Sequence, residues 1–258
     1  MSWLTIEDRE QVRILTMDRP DRKNAIPADG FADLAREFEE FEASGQRVLI
    51  VTGANGEFSA GADLDPDLPL DTGVAQRQRR MKTVGAAALK LHRLTKPTIA
   101  AVDGVAVGAA MNLALGCDVV VASARARFSE IFVRRGLTLD FGGSWLLPRV
   151  VGIQRAKELA LSGRIVEAHE ARDLGLCLEL TTPEDLIPRA LELAASFIDQ
   201  APVAQMFAKQ ALNHAWDMSL AEALDLEGQS QAICFSTDDV SEGINAFLEK
   251  RPPGFQGR

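Results

Sequence analysis

The most apolar stretch of the chain, residues 98–122, has too few charges for a surface segment and too many interruptions for a membrane span. Asp103, Asn112 and Asp118 break it, and a hydrocarbon-crossing helix of about 20 apolar residues tolerates such groups badly. It reads instead as a buried strand at 98–102, a Gly/Ala turn leading into a helix, and a second strand at 118–122. Short continuous apolar runs of this kind belong to parallel strands covered on both faces. Residues 48–52 form a similar run, followed by turn chemistry at Gly53, Ala54, Asn55 and Gly56. Residues 48–61 and 98–108 echo each other as strand, glycine turn and small residues, which hints at stacked ββα units.

The rest of the chain fits around this frame. Residues 4–6 and 12–17 read as strands joined by a charged turn at 7–11. Phe31, Leu34, Ala35, Phe38 and Phe41 recur at helical spacing. Pro66 and Pro69 lie in an acidic loop, 63–71, ahead of a basic helix carrying Arg77, Arg79, Arg80 and Lys82. Strands alternate with helices to about residue 180, the pattern of an α/β fold with mostly parallel pairing. Beyond Pro183 the pattern turns helical, over 186–198, 203–216, 220–235 and 240–250, with a polar tail from Arg251. Residues 1–198 are expected to form the core and 199–258 a helical region for oligomerisation.

Net charge is −9 and the pI about 5.0, which argues against a nucleic-acid-binding surface but allows a local basic cluster for a small anion. Cys117, Cys177 and Cys234 are odd in number and far apart, without zinc or CxxC spacing, so a reducing cytoplasm is expected. Glu7 and Asp8 interrupt the first ten residues, which lack the apolar core of a signal peptide.

Two segments place small residues where strand gives way to helix: Phe58-Ser59-Ala60-Gly61-Ala62-Asp63, and Gly104-Val105-Ala106-Val107-Gly108-Ala109-Ala110-Met111-Asn112. Small side chains admit a ligand close to the backbone, and the first N–H groups of a helix lack internal partners. Two such N–H groups from different segments form an oxyanion hole; tight helix–sheet packing explains the same residues without a ligand. The spacing Gly104-x-x-x-Gly108 is not the dinucleotide fingerprint. A third segment, Gly136-Leu137-Thr138-Leu139-Asp140-Phe141-Gly142-Gly143-Ser144, sets Asp140 before a glycine pair, where helix capping is the ordinary role of an aspartate.

Taken together, these segments resemble the crotonase superfamily of enoyl-CoA hydratases and isomerases. The matching motifs are Lys23-Asn24-Ala25, Ala60-Gly61-Ala62-Asp63, Lys96-Pro97, Asp103-Gly104-Val105-Ala106-Val107-Gly108, Cys117-Asp118, Gly142-Gly143 and the closing Glu242-Gly243-Ile244-Asn245-Ala246-Phe247-Leu248-Glu249-Lys250-Arg251. The resemblance spans nearly the whole chain. It implies a crotonase-like ββα superhelix core with a C-terminal helical trimerisation arm, assembled as a homotrimer or dimer of trimers. It also implies an acyl-CoA substrate, oxyanion donors at the backbone N–H groups of Ala62 and Ala109, and CoA contacts at Lys23, Ala60, Asp63, Leu64, Gly108, Phe247 and Lys250. Asp65 stands where some relatives carry lysine.

The chain departs from the pattern where family hydratases carry two glutamates: Asn112 and Phe132 occupy those positions. Asp140 falls where dienoyl-CoA isomerases, ring-epoxide isomerases and an aryl-CoA dehalogenase carry their working aspartate, and the resemblance therefore favours catalysis over capping there. Hydration needs one group to take a proton from water and another to protonate carbon, whereas a double-bond shift can use a single acid/base. Apolar neighbours such as Phe132, Phe141 and Trp145 are expected to raise the aspartate's proton affinity.

The expected function is therefore enoyl-CoA, dienoyl-CoA or ring-type isomerisation with Asp140 as acid/base, without metal or redox cofactor, nucleic acid or membrane. Enoyl-CoA hydratase is the alternative within the family; a non-catalytic acyl-CoA-binding or RNA-binding member is the alternative outside catalysis. Glu130, two residues before Phe132 on an expected strand, is a possible second carboxylate, with solvation or ion pairing its more ordinary fate. His92 beside Arg93 is expected at the surface, and the 77–82 charge run on a solvated face.

Overall fold

The computed structural model describes residues 2–64 and 73–258. The acidic loop from Asp65 onward, with Pro66 and Pro69, lies outside the described residues. β1 (Leu4–Arg9) and β2 (Val12–Met17) form an antiparallel hairpin, and β3 (Val48–Gly53) and β4 (Thr98–Val102) extend it in parallel. Next come β5 (Val105–Val107), β6 (Val119–Ser123), β7 (Arg127–Ser129), β8 (Val166–Glu167) and β9 (Glu179–Thr181). The larger sheet runs β1-β2-β3-β4-β6-β9 and the smaller β5-β7-β8.

The apolar runs alternate between two cores, as strand geometry requires. Leu49, Val51, Ala100 and Val102 face the main core, with helices α1 (Gly30–Ala43), α2 (Val74–Arg93) and α3 (Ala109–Gly116) among its contributors. Ile50, Ile99, Ala101 and Val121 face the other way, onto Leu186, Ala190 and Ala194 of a later helix, α7 (Leu186–Ile198). Between them the chain forms α4 (Gly143–Val151), α5 (Ile153–Ser162) and α6 (Ala168–Leu174).

The internal echo has a structural counterpart. β4 pairs with β6 in one sheet while β5 pairs with β7 in the other, so each repeat adds a strand to both layers. Ser59, following β3, bridges Ala106 of β5 in the same sense. The smaller sheet was not expected from sequence: Val105–Val107 reads as part of a Gly/Ala turn, because three residues carry too little alternation to identify a strand. The first hairpin also differs, with β1 reaching Arg9 and the turn confined to Glu10 and Gln11; the Arg13–Asp8 pair lies across it.

At the corner between repeats, Asp103 is 8% exposed and accepts from Ser123 Oγ at 2.6 Å, Arg125 Nε at 2.6 Å and the Gly104 N–H at 2.9 Å. Burial opposes its ionisation, but these partners hold its carboxyl below the usual range. Asp103→Ala, by leaving buried donors unpaired, is expected to cost about 2–4 kcal/mol in urea unfolding. The depressed pKa adds a sign: this contribution is present above the unfolded pKa and lost as pH falls through the folded one.

α8 (Pro202–His214), α9 (Leu220–Cys234) and α10 (Asp238–Glu249) follow the core. Their buried residues are few, Asp239 and Ala246 on α10 and none on α8 or α9. Lys209 fastens α8 to the core through Asp118 Oδ2 and the Lys96 carbonyl, at 2.7 and 2.8 Å. Asp118 was expected to begin a strand; it precedes β6, and its carboxylate also accepts from the Thr98 N–H and hydroxyl. Among the described residues, no helix is long and apolar enough to cross a membrane.

Candidate active site

The two small-residue segments meet. Ser59 donates its N–H to Val105 O at 2.8 Å and accepts from the Val107 N–H at 3.2 Å, lacing the turn after β3 to β5. Ile26 N–H donates to Gly61 O, and Asp63 N–H donates to Ile26 O, each at 2.8 Å. Ala62 lies between those bonds with its own N–H directed away from Ile26, and it donates to no atom among the described residues. Gly61 has φ +86°, and a Cβ built there would lie 2.4 Å from Val107 O and 3.6 Å from the Ala109 nitrogen. The glycine is what lets the Ala62 turn approach the start of α3. There Gly108 N–H donates to Ser129 O at 2.8 Å, and the N–H of Ala109, first residue of the helix, donates to no atom among the described residues. Two adjacent free donors from separate segments can receive a carbonyl oxygen that gains negative charge. The ring of Phe132 lies against Gly108, 3.6 Å from where a Cβ would stand.

One turn along α3, Asn112 is fully buried. Its Nδ2 donates to the Asp140 carbonyl at 3.0 Å and to Glu130 Oε2 at 3.4 Å. Asp140 does not cap α4: the cap position is Gly142, no side chain serves it, and only the Asp140 backbone carbonyl accepts from Gly143 N–H. Asp140 Oδ1 is buried without a partner among the described residues, and burial raises the carboxyl to about 6. Phe141 and Gly142 follow with φ +48° and +83°. A left-handed non-glycine residue costs about 1–2 kcal/mol, so this turn is held by its surroundings. Gly143 is part of the holding, since a Cβ there would lie 2.3 Å from Asn112 Nδ2.

Glu130 differs from its expected fate. It is 1% exposed and, among the described residues, without a cation partner. It also does not share a strand face with Phe132, because β7 ends at Ser129 and residues Ile131–Arg135 form a 3-10 helix. The short helix turns the carboxyl inward to Asn112. Burial raises it to about 8, with the Asp140 charge adding and the Asn112 hydrogen bond opposing. Trp145 packs instead on the edge of His92 and under Arg149. His92 is half-buried rather than at the surface.

The remaining sites are more dispersed. Lys23 Nζ pairs with Glu57 at 2.8 Å, while Lys23 O accepts from Ala60 N–H at 2.9 Å. Asp63 pairs with Arg19 at 2.9 Å, and Leu64 is exposed. Phe247 and Lys250 lie at the end of α10, Phe247 82% exposed. A groove of about 470 Å³ runs between the start of α1 and the exposed face of α2 with Arg77, Arg79 and Arg80. A cavity of about 740 Å³ between α2, α4 and α8 is bordered by Ala88, His92, Phe141, Gly142, Trp145 and Lys209. Neither is lined by Asp140 or by both free donors, so unpaired groups rather than cavity size locate the chemistry. Among the described residues, no three His, Cys, Asp or Glu side chains are grouped to hold a metal. Sequence reasoning missed Asn112 as a hub; a buried-helix asparagine facing a Gly-Gly pair was the available signal.

The enoyl-CoA hydratase/isomerase family model matches residues 7–258. The chain is 37% identical to the 1,2-epoxyphenylacetyl-CoA isomerase of Escherichia coli K12, over 100% of both chains. It is 34% identical to the short-chain-enoyl-CoA hydratase of Clostridium acetobutylicum, over 98% of this chain and 97% of that one. The enoyl-CoA hydratase/isomerase structure from Cupriavidus metallidurans CH34 superposes with a TM-score of 0.91 at 40% identity, covering 100% of this chain and 98% of that one. With its two-layer ββα core, its C-terminal helices and this match along nearly its full length, the chain belongs to the enoyl-CoA hydratase/isomerase family of the crotonase superfamily.

Proposed function

We propose that this member of the family is an enoyl-CoA isomerase that shifts a double bond with Asp140 as its acid/base. The thioester oxygen sits between the N–H groups of Ala62 and Ala109. Asp140 takes a proton from the acyl chain, the two donors stabilise the dienolate, and the protonated carboxyl returns the proton further along. The observation that carries this reading is the Asp140 side chain: largely buried, uncapped, with Oδ1 unpartnered, beside positions where Asn112 and Phe132 replace the two hydratase glutamates. The isomerase relative supports it. The reaction as written uses no metal or redox group.

CoA is placed along Lys23, Ala60, Asp63, Leu64 and Gly108. The Lys23 ammonium, 57% exposed beside Glu57, can turn toward a phosphate. Phe247 and Lys250 would meet the nucleotide of a neighbouring protomer. Residues 199–258 are proposed as the trimer-forming arm, on which Leu212, Trp216, Leu220 and Phe235 are exposed.

A second reading, hydration, is favoured by one observation: Asn112 ties the Glu130 carboxyl to the Asp140 backbone carbonyl, and the Asp140 charge is felt at Glu130, so two acidic residues share one place. The test is parallel assay of 3-enoyl-CoA isomerisation and 2-enoyl-CoA hydration. Faster isomerisation is expected; dominant hydration assigns the site to the second reading, and acyl-CoA binding without turnover assigns it to a binding module. Because Asp140 must be ionised to accept the first proton and its carboxyl stands at about 6, kcat/KM for isomerisation is expected to rise with pH through about 6. A flat profile there counts against Asp140 as the base.

A further inference from the structure

Among the described residues, three buried oxygens around Asn112 lack a hydrogen-bond partner: Asn112 Oδ1, Glu130 Oε1 and Asp140 Oδ1. The first two lie on side chains that are already joined, since Asn112 Nδ2 donates to Glu130 Oε2 at 3.4 Å. An ionised carboxylate only accepts, so it can do nothing for the amide oxygen. A carboxylic acid is complementary to a primary amide: the acid carbonyl accepts from N–H, and the acid O–H donates to the amide oxygen. One proton on Oε1 supplies the donor that Asn112 Oδ1 lacks and removes both vacancies together. Buried polar groups are almost always paired, which favours the state with the proton present.

We propose that Glu130 stands as a neutral carboxylic acid paired with the Asn112 amide, and that this pair positions the Asp140 turn. The amide orientation is the link. With Oδ1 committed to the acid, Nδ2 is fixed toward the Asp140 carbonyl, the atom from which the left-handed Phe141–Gly142 turn starts. Glu130 thus acts through Asn112 and needs no contact with substrate, in keeping with its 1% exposure.

The electrostatic surroundings agree. Asp140 is the charged group facing Glu130 from the turn before α4, and its charge favours the protonated acid. Arg134 and Arg135, on Glu130's own 3-10 helix, are exposed, and Arg134 Nε donates to Ser162 O. Across Gly163, which packs on the Glu130 carbonyl, Arg164 is held between Glu158 and Glu170. None of these cations is hydrogen-bonded or ion-paired to Glu130.

The positioning role rests on Asp140 being the acid/base; the neutral pair itself does not. Glu130→Gln reproduces the acid, its amide donating to Asn112 Oδ1 and accepting from Nδ2. Glu130→Ala removes both bonds. On 3-hexenoyl-CoA, Glu130→Ala is expected to lower kcat by about 10²-fold through misplacement of Asp140, and Glu130→Gln to restore most of it at neutral pH. Wild-type activity is expected to decline near pH 8, where the acid ionises, and Glu130→Gln is expected to lack that decline. Because the folded pKa is raised, the stability contribution of the protonated acid is lost as pH rises from its ordinary 4.5 toward about 8. Glu130→Gln should therefore melt higher than wild type at alkaline pH, with the gap closing in acid. Infrared spectra should show a protonated carboxyl band in wild type that Glu130→Gln lacks.

Glu130→Gln as inactive as Glu130→Ala, an unchanged alkaline limb, a parallel melting profile or the absence of the band each overturns the pair. Isomerisation surviving Asp140→Asn would instead remove the proposed function, while the band and the melting profile still decide the state of Glu130.

Discussion

Asp140→Asn is expected to abolish most isomerase turnover, by about 10³-fold or about 4 kcal/mol in the barrier, while leaving acyl-CoA binding within a few-fold. The substitution is nearly isosteric, and the interactions that hold the turn use the Asp140 backbone carbonyl, accepting from Asn112 Nδ2 and Gly143 N–H, not the side chain. Geometry should therefore survive. The side chain has no cap to lose and no ion pair to break, so stability should not fall. It should rise at neutral pH. The folded carboxyl stands at about 6, above its ordinary 3.8, so the wild type loses stability as pH rises through that range and the asparagine variant does not. Single-turnover isomerisation, calorimetric titration with acyl-CoA and melting curves across pH measure the three effects separately. Retained turnover would remove Asp140 from the reaction. Lost turnover accompanied by lost stability would make it a structural residue.

Much of this arrangement was legible in the sequence, for identifiable reasons. The apolar runs at 48–52 and 98–102 define parallel strands because both faces are covered, and both sheet faces indeed end in apolar cores. The helix at 186–198 was readable because the pattern turns helical after Pro183, whereas the capping box at Ser219 that starts the next-but-one helix was not read. The two segments bearing Ala62 and Ala109 could be identified by their small residues, but not their meeting, which depends on Ser59 bridging Ala106, a residue distant in sequence. Glu130 was misread for a similar reason. Whether a carboxylate after a strand faces water or the interior depends on the next few backbone angles, and Ile131–Arg135 turns as a 3-10 helix where extended chain was expected. Asn112 illustrates the converse. The residue type says only that a glutamate is missing; its role as the hub joining Glu130 to Asp140 appears once three elements are brought together.

The second large effect is expected at Gly61, a residue with no functional group. Gly61→Ala should lower turnover by at least about 10²-fold, the scale seen when one oxyanion donor is lost. Two costs combine. The residue has φ +86°, where any L side chain is strained, and the added methyl would lie 2.4 Å from Val107 O. That oxygen is backbone of β5, whose N–H groups are tied to Ser59 and the second sheet, so it cannot swing aside as a side-chain end could. Relief must come from moving the Ala62 turn away from Ala109, which separates the two donors. Gly136→Ala supplies the comparison: φ is +67° there too, but nothing lies within 4 Å of the new methyl. It should show the strain alone, about 1–2 kcal/mol in urea unfolding, with turnover little changed. If Gly61→Ala and Gly136→Ala lose stability equally and both keep turnover, the close approach of the two segments is not what creates the oxyanion site. If only Gly61→Ala loses turnover, and loses more in kcat than in substrate affinity, the donors act on the charge that develops during reaction rather than on the bound ground state.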